Sequence, residues 1–125
     1  MFKGFLILLL SVFLLFACSK KNNKEIISQP TEKEMVTIIY AEAVEALKKG
    51  DAYFAGKKFK EAESLLPQST WVAKASLMAS YADYSRNAFS KSIFGLERYI
   101  ANYPADVNIP YAHYLIAICY YEQIL

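Results

Sequence analysis

The sequence contains few of the residue types from which catalytic and metal sites are built. Its 125 residues include one histidine, His113, and two cysteines, Cys18 and Cys119. A single histidine rules out most zinc sites. Cys119 follows His113 by six positions, so the two side chains lie on different faces of one helix and cannot act as nucleophile and base. We therefore expect Cys119 to be a small core residue and His113 to lie on a polar face.

Glycine is also rare, and the net charge is small. The four glycines are too few and too scattered to form a phosphate-binding loop. The formal net charge is only +2, and no stripe of Lys and Arg could follow a nucleic-acid backbone. The sequence therefore predicts a protein that is not an enzyme, holds no cofactor and binds no nucleic acid.

The N-terminal apolar run is too short to cross a membrane as a helix. It extends from Phe5 to Phe16, twelve residues, whereas a spanning helix needs ~20. With Lys3 before it, the run is typical of an export signal. It ends in Leu-Phe-Ala-Cys18, which resembles a bacterial lipobox. We predict that residues 1–17 are a lipoprotein signal peptide and that Cys18 carries covalent lipid; the alternatives are a short transmembrane anchor or an ordinary secretory signal.

A polar segment follows the predicted lipid. Residues 18–32 carry too little apolar surface to form a core, which predicts a flexible, lipidated tether. Three acyl chains on Cys18 would anchor the protein stably, whereas one chain gives only reversible binding. Ser19, rather than Asp, follows the cysteine. In bacterial lipoproteins of this kind, a residue other than Asp after the lipidated cysteine, such as Ser19 here, indicates export to the outer membrane.

The remaining sequence contains a repeat. Ala55-x-x-x-Phe59, with Pro67 beyond it, returns thirty-seven residues later as Ser92-x-x-x-Leu96 with Pro104. A small residue that lets two helices approach, a large one that fills the space between them and a terminating proline are typical of tetratricopeptide repeats. At the same offset, Gly50 corresponds to Asn87, and both tolerate the positive φ of a tight turn. The predicted repeat-packing positions are Ala43, Ala55, Phe59, Ser80, Ser92 and Leu96.

This pattern predicts an all-α tetratricopeptide-repeat solenoid over residues 33–125, with two full helix pairs and the first helix of a third. Thr31 and Glu34 form a capping-box signature at its start, and Ser69 is a candidate cap for the third helix. Phe54 is expected in the buried stripe of the second helix. The last helix is apolar almost all round. Repeat arrays normally close with a polar unit, so we expect either a chain truncated at its C-terminus or a partner that covers this helix.

Tyrosine is abundant, with ten residues. A tyrosine combines apolar area with a hydroxyl group, which suits the recognition of an extended peptide or a partner surface. The alternative is that several of these rings pack between helices, and the sequence does not separate the two roles. The candidate peptide groove on the first helices of the repeats comprises Tyr40, Tyr81, Tyr84, Tyr111, Tyr114 and Tyr121.

The order of local motifs resembles the BamD family of outer-membrane protein assembly factors. The motifs are Tyr40-Ala-x-Ala43, Leu66-Pro-Gln-Ser-x-Trp71, Leu77-Met-Ala-x-Tyr81-Ala-x-Tyr84, Leu96-Glu-Arg-Tyr-Ile100 and Ile109-Pro-Tyr-Ala-x-Tyr114. Together they cover most of the chain that follows the tether. Members of that family carry about five repeats, whereas this chain supplies two and part of a third.

The resemblance implies a non-enzymatic scaffold on the periplasmic face of the outer membrane that helps β-barrel precursors fold and insert. It implies as partners the other subunits of the β-barrel assembly complex, including its barrel protein, and unfolded outer-membrane protein precursors. The groove would receive the terminal strand of a precursor. The alternative function is that of another periplasmic tetratricopeptide-repeat lipoprotein, an adaptor in envelope division or pilus assembly. A peptidoglycan enzyme would need a cluster of carboxylates or histidines in a cleft, and the sequence offers none.

Overall fold

Five α-helices follow one another in a computed structural model that describes residues 30–67 and 69–124. The predictions on the signal peptide, the lipidated Cys18 and the tether before Pro30 lie outside these residues. The helices are α1 (Glu32–Lys48), α2 (Ala52–Leu65), α3 (Thr70–Ser85), α4 (Phe89–Asn102) and α5 (Ile109–Glu122). Each helix packs against the next, and α3 also touches α1 and α5. The predicted all-α repeat fold is confirmed, with α1–α2 and α3–α4 as pairs and α5 as the next first helix.

The helix starts are set by local side chains. The predicted capping box is confirmed: Thr31 Oγ1 accepts a hydrogen bond from the Glu34 amide at 3.3 Å, and Glu34 Oε2 accepts one from the Thr31 amide at 2.8 Å. Asp51 caps α2 by accepting from the Phe54 amide at 3.0 Å. Ser69 occupies the cap position of α3, but its hydroxyl donates to the Leu66 carbonyl and caps no amide. Thr31 and Asp51 thus cap their helices through side-chain hydrogen bonds, whereas Ser69 does not. Of the two caps predicted from the sequence, only the capping box at Thr31 forms these bonds.

The turns after α1 and α3 repeat each other. Gly50 and Asn87 both have positive φ, 84° and 62°, as the sequence predicts. The Gly50 amide donates to the carbonyl three residues back at 3.0 Å, and the Asn87 amide does the same at 2.9 Å. The amides of the next residues, Asp51 and Ala88, each reach the carbonyl five residues back at 2.9 Å. Two turns of the same geometry at the same offset establish the repeat.

The two helix pairs have equivalent cores. Phe59 lies in the core of the first pair, and Leu96, its counterpart in the repeat, lies in the core of the second. Phe54 does not belong to the buried stripe, and the prediction for it is wrong: its side chain is 42% exposed, while Gly56 is buried. All six predicted repeat-packing residues are buried: Ala43, Ala55, Phe59, Ser80, Ser92 and Leu96.

Small residues allow close approach where the helices cross. A Cβ atom added at Gly56 would lie 3.5 Å from the Ala82 Cβ, an ordinary contact. A Cβ atom added at Gly95 would collide with the Ser80 hydroxyl oxygen and lie 3.3 Å from the Ser80 Cβ. Ser92 Oγ donates to the Ser80 carbonyl at 2.8 Å. The crossing of α3 and α4 is therefore tighter than that of α2 and α3.

The loop before α5 is organised by Asp106. Its Oδ1 accepts from the backbone amide of Asn108 at 2.8 Å and from the Asn108 side chain at 3.0 Å. The fully buried Tyr99 hydroxyl lies beside this carboxylate, although no hydrogen bond of standard geometry reaches it. Tyr99 and Asn108 hold the pKa of Asp106 below its usual value, while burial and the Asp106 carboxylate raise the pKa of Tyr99.

Candidate peptide-binding surface

Four of the predicted groove tyrosines lie together on α3 and α5. The ring centroids of Tyr81 and Tyr84 are 6.1 Å apart, and those of Tyr111 and Tyr114 are 6.4 Å apart. Burial raises the pKa of Tyr111, and the phenol groups of the other three raise it further. Tyr81 and Tyr84 also pack against the core cluster to which Ala112 and Leu115 of α5 belong, so the two pairs are neighbours. We call Tyr81, Tyr84, Tyr111 and Tyr114 the aromatic surface.

The aromatic surface is open to solvent on the α5 side. Tyr114 is 61% exposed, and Tyr111 is also exposed. Tyr81 and Tyr84 are half-buried against the core that α3, α4 and α5 share. The Phe89 ring lies 6.0 Å from the Tyr84 ring and extends the apolar area toward α4. The surface therefore offers apolar faces to a partner on one side and is held in place by the core on the other.

A groove between α1 and α3 continues from this surface. It has a volume of about 340 Å³, and Val44, Leu47, Tyr81 and Ser85 line it together with the turn at Gly50. A depression with apolar side chains in its lining, beside exposed rings, can receive side chains of an extended segment that alternate between groove and solvent. This arrangement suits the binding of a peptide strand.

The other two predicted groove residues do not pack against these four rings. The Tyr40 ring is half-buried and packs edge-on against Phe59 and Trp71, with both centroid distances 5.2 Å. Burial raises the pKa of Tyr40. Tyr121 is exposed near the end of α5. Across residues 30–67 and 69–124, no ring pair joins Tyr40 or Tyr121 to the aromatic surface. The structure thus places Tyr40 between helices and leaves Tyr121 as a separate exposed ring.

The sequence reasoning missed one group of charged residues. Asp83 is buried on α3, and its carboxylate is surrounded by Arg86 at 2.8 Å, Lys60 at 3.5 Å and Lys91 at 3.6 Å. The sequence does contain an indication of this cluster, because Asp83 is the only acidic residue of α3, a helix whose other residues are mostly small and apolar. An isolated acid on such a helix must find cations, because an unpaired buried charge is costly.

Within residues 30–67 and 69–124, no group of three or more His, Cys, Asp or Glu side chains could hold a metal ion. Cys119 is fully buried and His113 is exposed, as predicted, and burial raises the pKa of the Cys119 thiol. No helix in these ranges is long and apolar enough to span a membrane. The feature that stands out is the aromatic surface.

Paired helices in constant register, with a surface of tyrosines across successive first helices, define a helical-repeat protein of the tetratricopeptide type. The chain belongs to the YfiO family of outer membrane lipoproteins, whose model matches residues 32–125. No solved structure matches the chain.

Several curated relatives carry the name outer membrane protein assembly factor BamD. The protein from Caulobacter vibrioides is 36% identical over 94 residues, covering 75% of this chain and 31% of the relative. Those from Neisseria gonorrhoeae and Xylella fastidiosa are 29% and 27% identical over 109 residues, which is 87% of this chain and 41% and 36% of theirs. The chain therefore spans roughly a third of the length of the curated relatives it matches.

Proposed function

We propose that this chain is a non-enzymatic, lipid-anchored component of the machinery that assembles β-barrel proteins in the outer membrane, and that its aromatic surface binds the terminal strand of a barrel precursor. The family of outer membrane lipoproteins and the assembly-factor names of the relatives support the first half of this proposal. The other subunits of the assembly complex, including its barrel protein, are the proposed partners.

The observation that carries the second half is the spacing of the rings. Side chains on one face of an extended strand recur every ~6.8 Å, twice the rise per residue. Within the aromatic surface, neighbouring rings are 6.1 and 6.4 Å apart. Alternate residues of a bound strand can therefore each meet one tyrosine. Aromatic residues at the end of a precursor strand would pack edge-on or offset against these rings.

The proposed anchor places this surface close to the membrane. Lipid on Cys18 would hold the chain at the periplasmic face of the outer membrane. The tether of residues 18–32 reaches at most ~3.5 Å per residue when extended. The repeats would then stay within ~50 Å of the bilayer, near the place where a precursor strand inserts.

The test compares two tyrosines of the same helix. Tyr114 belongs to the aromatic surface, whereas Tyr120 is similarly exposed, at 54%, and lies about 120° away around the axis of α5. Tyr114→Ala should weaken binding of a fluorescent peptide with a terminal alternating aromatic pattern by ~1–2 kcal/mol, about 5- to 30-fold in Kd. Tyr120→Ala should leave the affinity unchanged.

Fluorescence anisotropy on the full chain in detergent measures both affinities, with melting temperatures recorded for each variant. The proposal fails if the two variants bind equally well. It also fails if Tyr81→Ala and Tyr84→Ala unfold the protein while their folded fraction binds normally, because those rings would then serve only the core.

A further inference from the structure

A second, smaller pocket lies between α2 and α4 and shares no residue with the aromatic surface. Its volume is about 140 Å³. At ~30 Å³ per water molecule, this space fits one amino-acid side chain, and sites for small organic ligands begin at ~300 Å³. The pocket is lined by Lys60 of α2, by Ala79, Ser80 and Asp83 of α3, and by Lys91, Phe94, Gly95 and Arg98 of α4.

Positive charge is in excess around this pocket. The Asp83 carboxylate at its base is matched by three cations, of which Arg86 makes the short contacts, 2.8 and 3.0 Å to Oδ1. Lys60 and Lys91 approach Asp83 only to 3.5 and 3.6 Å, beyond the ~2.7–2.9 Å of a strong charge-assisted hydrogen bond. Each ammonium group has three N–H donors, so both lysines retain donors for a further acceptor. Arg98, by contrast, is held by Glu63 at 3.1 Å.

The rim of the pocket carries an exposed aromatic ring. Phe94 is 69% exposed, one turn after Lys91 on α4. Gly95 beside it packs directly against Ser80, so the two helices meet there and close the floor of the pocket. A ligand at the pocket thus meets two half-exposed ammonium groups and an apolar ring at the edge.

We propose that this pocket binds an acidic segment of a partner protein. One Glu or Asp carboxylate lies between Lys60 and Lys91, and a neighbouring apolar side chain packs on Phe94. Charge complementarity selects an acid, because a cationic side chain would enter a region where three cations already surround one carboxylate. The pocket is smaller than the sites that bind free organic ligands, and its volume fits one side chain of a polypeptide.

The probe is a short fluorescent peptide containing Glu-Phe-Glu, with Gln-Phe-Gln as its neutral counterpart. Titrated with the full chain in detergent, the acidic peptide should bind and the neutral one should bind at least about fivefold more weakly. Lys60→Gln/Lys91→Gln should raise the Kd of the acidic peptide by about fivefold or more, and raising the salt from about 50 to about 300 mM should have a similar effect. Phe94→Ala should also weaken binding of the acidic peptide, although it leaves every charge in place. This variant still tests the pocket if the double lysine variant unfolds.

The matched control is Lys33→Gln/Lys57→Gln, which removes the same charge from exposed positions on α1 and α2 outside the pocket. An equal loss in this control, or unchanged affinity in both pocket variants, would overturn the proposal. Displacement of the peptide by detergent micelles that contain phosphatidylglycerol, but not by micelles that contain phosphatidylcholine, would assign the pocket to lipid headgroups instead. Tyr114→Ala must leave the acidic peptide bound, so a failure of the proposed function is distinguishable from a failure here.

Discussion

Gly95 lets α3 and α4 approach so closely that one added methyl group would not fit. The new Cβ atom would meet both the hydroxyl oxygen and the Cβ of Ser80, and Ser80 is itself buried on α3. Gly95→Ala should therefore lower the free energy of unfolding by ~1–3 kcal/mol through overpacking. This loss would exceed the ~1 kcal/mol that alanine gains over glycine in helix propensity. Urea unfolding followed by circular dichroism measures the change.

Gly56 supplies the control for that prediction. Its added methyl group would lie 3.5 Å from Ala82, so only the propensity term should act. Gly56→Ala should leave stability unchanged or raise it by ~0.5–1 kcal/mol. If Gly95→Ala proved as harmless as Gly56→Ala, the crossing of α3 and α4 would not depend on close approach.

At the scale of single residues, the sequence predicted burial well where a position repeats. Ala55 and Ser92 are equivalent small residues, and both are fully buried. It failed at Phe54, because hydrophobicity alone does not show which side of α2 faces α1 and α3. The Phe54 ring instead lies at the surface, with the Lys58 ammonium 5.7 Å from its centroid.

At the scale of the helix, the start of α2 depends on Asp51. Its carboxylate accepts from the Phe54 amide, one of the four amides that a helix start leaves without a partner. Asp51→Ala should cost ~1 kcal/mol of stability, within the usual range for the loss of a cap. Chemical denaturation of the variant measures this cost.

Asp51→Asn and Ser69→Ala are the comparisons for the cap. Asparagine keeps an oxygen acceptor, so Asp51→Asn should retain most of the stability. The Ser69 hydroxyl caps no amide of α3, so Ser69→Ala should cost less than Asp51→Ala. A loss for Asp51→Asn as large as for Asp51→Ala would show that charge, and not the hydrogen bond, stabilises this end.

At the scale of the whole molecule, the proposed anchor makes one cysteine essential and the other dispensable for lipidation. In a bacterial host, Cys18→Ala should no longer incorporate labelled palmitate, and its signal peptide should stay uncut. Cys119→Ala should be labelled like the wild type, because Cys119 is buried in the repeat core. Metabolic labelling and membrane fractionation report both results. A Cys18→Ala protein that still takes up palmitate and stays with the outer membrane after a salt wash would refute the lipid anchor.

The sequence by itself determined the features that depend on residues close together in the chain. The capping box at Thr31 and the positive φ of Gly50 and Asn87 follow from local sterics and hydrogen bonding. These preferences act within one turn of backbone, so they can be read before the helices are placed.

Only the tertiary structure decided which side chains share a surface. Six tyrosines look alike in the sequence, yet the packing of α3 against α5 gathers four of them and the packing of α1 against α2 and α3 places Tyr40 between Phe59 and Trp71. The three cations around Asp83 come from α2, from the turn that follows α3 and from α4. The members of such groupings depend on helix rotation and crossing, which arise from contacts between residues far apart in the chain.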